Sequence, residues 1–146
     1  MKKTFTLFAL LILLLSNQYV FAQEPGNSLG KSYFEISKED PEIMFIEKND
    51  DGLYVYGSGD DGMFCLYYFK NDILVKEGLL VITDNGFARE FYDTMRETCY
   101  KRKDYKDLYI SENKTVFYYS VFKITLTYNT KNNGEHIGYM EYEKTK

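Results

Sequence analysis

The sequence contains no tryptophan and a single histidine among its 146 residues. The missing tryptophan weakens the case for a sugar-binding platform, which stacks sugar rings on large aromatic faces. With one histidine, any nucleophile–histidine–acid relay has to use His136. His136 closely follows the turn signal Asn132-Asn133-Gly134, so it is expected in a loop or at a frayed strand edge. This position does not favour a catalytic role, and the sequence predicts no catalytic residues.

Cysteine is also scarce, since Cys65 and Cys99 are the only two. Their wide separation excludes the CxxC spacing of redox motifs and zinc sites. In an exported protein an even count permits a disulfide, so a Cys65–Cys99 bridge is one expectation. The alternative is two separate buried thiols that behave as small hydrophobic side chains. The sequence leaves both open.

Long apolar runs are absent except for residues 5–15, which are fewer than the roughly 20 apolar residues that span a bilayer. Lys2 and Lys3 precede this run, and Val20-Phe21-Ala22 suits cleavage before Gln23. That order is typical of a secretory signal, and its compact form resembles bacterial export signals. We therefore expect residues 1–22 to be removed, with an uncleaved N-terminal anchor as the alternative. After this cleavage the mature protein is expected to be secreted or periplasmic, without a stable membrane anchor.

The charge is moderately acidic. The chain carries −4, and the expected signal holds two lysines and no acid, so the mature chain would carry −6. An acidic surface argues against nucleic acid and anionic lipid as partners. The turns Asp50-Asp51 and Asp60-Asp61 offer oxygen ligands for calcium, but neither fits an EF-hand, and Asp and Gly are ordinary turn residues. No metal site and no cofactor are predicted.

The hydrophobic pattern predicts an α+β fold, in which a meander-like antiparallel sheet of seven to eight strands carries one long helix on one face. A short N-terminal helix beside it is also expected. Residues 23–31 are expected to form a flexible leader, and residues 32–146 a single domain. The helical segments are Ser32–Asp40 and Asp84–Lys101, and the strand segments are Ile43–Glu47, Leu53–Tyr56, Met63–Lys70, Ile73–Thr83, Asp107–Ser111, Thr115–Phe122, Lys123–Asn129 and His136–Glu143.

Aromatic residues are abundant, with 15 tyrosines and 11 phenylalanines. Strand content accounts for many of them, because aromatic side chains suit a half-buried sheet surface. The functional alternative is a binding face that includes Tyr54, Tyr56 and Tyr68. Together with the dearth of catalytic patterns, this favours a non-enzymatic exported domain that binds a protein or a small ligand, inhibitor-like by fold analogy. The competing hypothesis is a small secreted hydrolase that uses carboxylates, which needs a pocket with two convergent acids.

Overall fold

The computed structural model describes residues 27–84, 86–102 and 105–145. The expected signal peptide, residues 1–22, lies outside the described residues, as does the start of the expected leader. The described part of that leader is held against the domain. Leu29 packs on a buried cluster, the Gly30 N–H donates to the Leu74 carbonyl at 2.8 Å, and the Leu74 N–H donates to the Lys31 carbonyl at 2.8 Å.

The first helix, α1, spans Tyr33–Glu39. A capping box begins the helix, because the Ser32 hydroxyl accepts from the Glu35 N–H and the Glu35 carboxylate accepts from the Ser32 N–H. Asp40 caps the C-terminal end, and Pro41 follows. Ile36 is buried and fixes the inner face of the helix.

Eight strands form one sheet in the order β1-β2-β3-β4-β8-β7-β6-β5, and every neighbouring pair is antiparallel. The predicted α+β fold with an antiparallel sheet is thus confirmed. Two meanders of four strands meet at β4 and β8, so the second helix carries the chain from the centre of the sheet to its far edge. The strands are β1 Met44–Lys48, β2 Tyr54–Asp60, β3 Met63–Lys70, β4 Ile73–Thr83, β5 Tyr105–Ile110, β6 Lys114–Tyr119, β7 Phe122–Thr130 and β8 His136–Lys144.

Tight hairpins join β2 to β3 and β3 to β4. Asp61 and Gly62 have φ of 47° and 83°, and Asn71 and Asp72 have φ of 50° and 65°. Two consecutive residues with positive φ match the twist of antiparallel strands, and Asp, Asn and Gly tolerate that conformation best. β2 continues through Ser58-Gly59-Asp60, beyond the expected strand Leu53–Tyr56.

The long helix, α2, spans Phe87–Lys101 and packs on β4, β7 and β8. At its start the Thr83 hydroxyl accepts from the Ala88 N–H at 3.3 Å. Phe64 and Leu66 of β3 lie on the face of the sheet opposite this helix. The main core consists of Val81, Ala88, Phe91, Tyr92, Met95, Cys99, Phe117, Ile124, Leu126, Met140 and Tyr142.

Both helices lie on the same face of the sheet. A second buried cluster under α1 contains Ile36, Ile43, Phe69 and Leu74. Alternation along β3 places Phe69 on the same face as Met63, which packs on the core beneath α2. We call the other face of the sheet, which neither helix covers, the open face.

Candidate functional site

The most exposed apolar segment among the described residues is the edge strand β1. Ile43 is buried under α1 and fixes where the strand begins. After it, Met44, Phe45 and Ile46 are 71%, 56% and 54% exposed. A bulge between Phe45 and Glu47 breaks the alternation, so apolar side chains leave the strand on both faces. Among the described strands, β1 pairs only with β2, which leaves its outer edge without a neighbouring strand.

A pocket of about 580 Å³ opens beside the start of β1. It forms because β1 pairs with β2 only as far as Gly57, whereas β2 continues to Asp60. Gly57 leaves room at this point, since a Cβ there would lie 2.7 Å from Cδ1 of Ile46. The pocket is lined by Pro41, Glu42, Met44, Phe45, Ile46, Gly57, Ser58, Gly59 and Phe64.

Asp40 holds one wall of the pocket in place. Its Oδ2 accepts hydrogen bonds from the Ser58 hydroxyl and, at 3.1 Å, from the Tyr67 hydroxyl. Burial, assisted by Cys65 and the Asp40 carboxylate, raises the pKa of Tyr67, so this tyrosine stays a neutral donor. The end of α1 is thereby tied to β2 and β3, and the segment containing Pro41 and Glu42 has a defined path.

The acids around this edge are largely unneutralised. Glu42, Glu47, Asp60 and Asp61 are all exposed, and none forms an ion pair with a residue that the structure describes. The region therefore presents apolar side chains surrounded by negative charge.

The structure does not bring the three predicted tyrosines together. Tyr54 and Tyr56 lie on the helix-bearing face, because they pair with Phe69 and Tyr67 of β3. Tyr56 is half-buried and packs against Tyr33 and Phe69. Tyr68 lies on the open face, where its hydroxyl is 2.9 Å from that of Tyr139.

The two cysteines are free thiols, which corrects the expectation that a disulfide could join them. Cys65 does lie on the helix-bearing face, but it is exposed and its pKa depends on Asp40 and Tyr67 beside α1. Cys99 is buried under α2 in the main core. Desolvation, with the nearby Asp40 carboxylate, raises the pKa of Cys65, which is the opposite of nucleophile activation.

The described contacts of His136 are with a tyrosine and a threonine. Its Nδ1 is 2.7 Å from the Tyr128 hydroxyl and 3.4 Å from the Thr130 hydroxyl. Its ring also stacks on that of Tyr128. These contacts fit a structural role at the start of β8.

A second, shallow pocket of about 380 Å³ is relevant to the carboxylate-hydrolase hypothesis, because Asp61, Asp84 and Glu135 line it. Asn133 and Lys131 hydrogen-bond to Glu135 and lower its pKa, whereas a general acid needs a raised one. Within residues 27–84, 86–102 and 105–145, no three His, Cys, Asp or Glu side chains are arranged to hold a metal ion. Within the same residues no helix has the length and apolar character needed to cross a membrane.

Sequence reasoning missed the β1 edge. The run Met44-Phe45-Ile46 lacks the alternation of a half-buried strand, and that was the available signal. The position of β1 at the edge depends on strand order, which the local pattern does not contain.

Comparison with known proteins adds little. No protein-family model matches the sequence, and no curated protein matches it either. A solved structure of a cysteine-rich secretory protein from Staphylococcus aureus subsp. aureus Mu50 is similar with a TM-score of 0.47 and 9% sequence identity. The alignment covers 82% of this chain and 46% of that chain, so this chain spans less than half the length of that protein. No statement about function follows from it.

Proposed function

We propose that the chain is an exported interaction domain that binds an extended segment of a partner protein along β1, as an added strand. The observation that carries the proposal is the exposure of Met44, Phe45 and Ile46, all above 50%, on a sheet edge without a described neighbour. Small soluble proteins rarely leave contiguous apolar side chains exposed unless these side chains contact a partner.

Strand addition suits this edge because it provides partners for both the backbone groups and the apolar side chains of β1. An incoming extended segment can hydrogen-bond to the free N–H and C=O groups of β1, and its alternate side chains can enter adjoining pockets. The pocket lined by Met44, Ile46 and Gly57 lies where such a side chain would enter.

The edge also carries features that limit unspecific pairing. β1 is only five residues long, contains a bulge, and ends in Glu47 and Lys48. Short, bulged and charged edges discourage aggregation. Here the charged residues lie at the C-terminal end, whereas the pocket adjoins the N-terminal end, so one part of the edge stays open to a specific partner.

The test is selection of random linear peptides against the mature chain, residues 23–146, followed by affinity measurements with a fluorescently labelled selected peptide. We expect Phe45→Asp to weaken binding at least about tenfold, or about 1.4 kcal/mol. The matched control is Ile110→Asp, since Ile110 is 50% exposed on β5 at the opposite edge of the sheet. This control should leave the affinity unchanged.

Strand addition has its own signature, because an extended segment directs only every second N–H toward its neighbour. N-methylation of one alternating set of peptide amides should abolish binding, and N-methylation of the other set should not. Equal affinity for the Phe45→Asp variant, or equal tolerance of both methylation patterns, would overturn the proposal.

A further inference from the structure

We infer that the segment bound at β1 is cationic as well as apolar: an extended peptide stretch in which lysine or arginine alternates with hydrophobic residues. This inference rests on the proposed function and specifies the chemistry of the partner. It follows from where the negative charge of the chain is concentrated.

The negative charge lies almost entirely in the segment that builds this edge. Residues 39–61, which include β1 and β2, contain eight acids against Lys48 alone, a net charge of −7. The expected mature chain carries −6, so everything outside this segment is close to neutral. A local concentration of one sign of charge steers an oppositely charged partner and raises its association rate.

Several acids elsewhere in the described structure form ion pairs with neighbouring cations. Asp93 pairs with Arg89 at 2.9 Å, Glu141 with Lys76 at 3.3 Å, and Glu143 with Lys123 at 2.5 Å. By contrast, Glu42 and Asp60 are exposed and form no ion pair with described residues. Their charge is therefore available to a ligand.

These acids flank the apolar side chains. Glu42 lines the pocket itself, and Asp60 ends β2 just beyond Gly59, another lining residue. Glu47 follows the exposed Ile46 on β1. A strand added along β1 would therefore lie near carboxylates as well as beside exposed apolar side chains, so a matching partner carries both cationic and apolar side chains.

The same charge argues against a second copy of this chain as the occupant. Pairing two β1 edges would bring two segments of −7 together, and like charges across an interface are costly. The occupant that matches both the apolar and the acidic features is a basic, extended segment of a different protein.

The test uses three synthetic peptides that share the same alternating valines and differ only at the intervening positions, which are lysine, serine or glutamate. Affinities for the mature chain are measured at about 50 mM and about 500 mM NaCl, which shortens the screening length from roughly 14 Å to roughly 4 Å. The lysine peptide should bind at least tenfold more tightly than the serine peptide at low salt, and most of that advantage should vanish at high salt.

Variants that remove charge show which acids produce the preference for the lysine peptide. Glu42→Gln with Asp60→Asn should reduce the preference for lysine over serine several-fold. The matched control is Glu90→Gln with Glu97→Gln, because both residues are exposed acids on α2. The control should keep the full preference.

The outcomes separate the two proposals. If the serine peptide binds along β1 and the lysine peptide binds no better, the cationic specificity is overturned while strand addition stands. If none of the peptides binds, both are overturned. If light scattering shows a dimer that Phe45→Asp dissociates, the edge pairs with a second copy, and the cationic partner is likewise rejected.

Discussion

At the residue scale, Asp40 links the local sequence to the candidate site. It ends α1 before Pro41, and the same carboxylate accepts from Ser58 and Tyr67, which lie 18 and 27 residues further along the chain. The sequence indicates the helix end, since a residue before proline disfavours the helical conformation. It gives no indication of the two long-range donors, because these depend on how β2 and β3 pair beside the helix.

The two thiols give a prediction at the same scale. Cys65 is exposed and Cys99 is 1% exposed, so a small alkylating reagent should modify Cys65 in the native protein and reach Cys99 only after unfolding. Mass spectrometry before and after denaturation without reductant measures this, with Cys65→Ser as the control that removes the first modification. Fewer than two reactive thiols in the denatured monomer would contradict the free-thiol structure.

The tyrosines show how much of the candidate site the residue pattern could predict. Alternation correctly placed Tyr54 and Tyr56 on one face. It could not relate them to Tyr68, because the face of a residue on a neighbouring strand depends on register. Val55 pairs with Tyr68, and this puts Tyr68 on the open face, opposite Tyr54 and Tyr56.

At the element scale, the predicted segments largely correspond to the observed ones, because hydrophobic periodicity and turn residues are local signals. Where the observed elements differ from the predicted segments, the cause is tertiary packing. β4 bulges at Val75, where Tyr68 pairs with Lys76 and Phe69 with Leu74, and not at its glycine, Gly78. Gly78 instead makes room for the Tyr139 ring, since a Cβ there would lie 2.6 Å from that ring.

The docking of α2 on β8 gives an element-scale prediction. A Cβ at Gly138 would lie 2.7 Å from the Ala88 carbonyl oxygen and 2.9 Å from Phe91, so Gly138→Ala has to push the helix away from the sheet. We expect it to lower the free energy of unfolding by roughly 1–3 kcal/mol, the usual cost of overpacking. Urea denaturation measures the loss.

The matched control for that measurement is Gly86→Ala. Gly86 has helical φ and ψ at the start of α2, and a Cβ there meets nothing within 4 Å. Its effect should stay within about 0.5 kcal/mol, as for surface substitutions in general. Equal losses for the two variants would mean that α2 does not approach β8 as closely as the structure shows.

At the scale of the whole molecule, strand order could not be predicted. The pattern gave two sets of four strands, each preceded by a helix, but not that β4 would pair with β8. That pairing turns two meanders into one sheet and leaves β1 and β5 at its edges. The candidate site arises from this arrangement, since the same Met-Phe-Ile run in a central strand would be buried.

The arrangement of charge is also a property of the whole molecule. The open face carries the pairs Lys76–Glu141 and Lys123–Glu143 across β4, β8 and β7, so opposite charges alternate over the centre of the sheet. At the β1 end, in contrast, the exposed acids Glu42, Glu47, Asp60 and Asp61 form no ion pair with a described residue. Charge at the centre therefore contributes to cohesion between strands, whereas the charge of these four acids at the edge faces solvent.

The Lys123–Glu143 pair makes stability depend on pH in a defined direction. The hydrogen bond from Lys123 lowers the pKa of Glu143 below 4.5 and raises that of Lys123 above 10.5. As pH falls below about 5, the unfolded chain takes up the proton first, so the stabilisation from Glu143 is lost as pH drops through its folded pKa. The stabilisation from Lys123 is present below 10.5 and is lost as pH rises through its folded pKa.

Glu143→Gln should therefore weaken the dependence of stability on pH below about 5. At neutral pH it should lower the free energy of unfolding by about 0.5 kcal/mol, a value reduced for solvent screening because the Glu143 side chain is 36% exposed. Urea denaturation across the pH range measures both effects. Glu97→Gln is the control, because the Glu97–Lys101 pair is longer, at 3.7 Å, and both side chains are more than 60% exposed. If the two variants gave the same profile as the unsubstituted protein, the Lys123–Glu143 pair would contribute nothing to stability, and cohesion at the centre of the sheet would come from its backbone ladder and apolar packing alone.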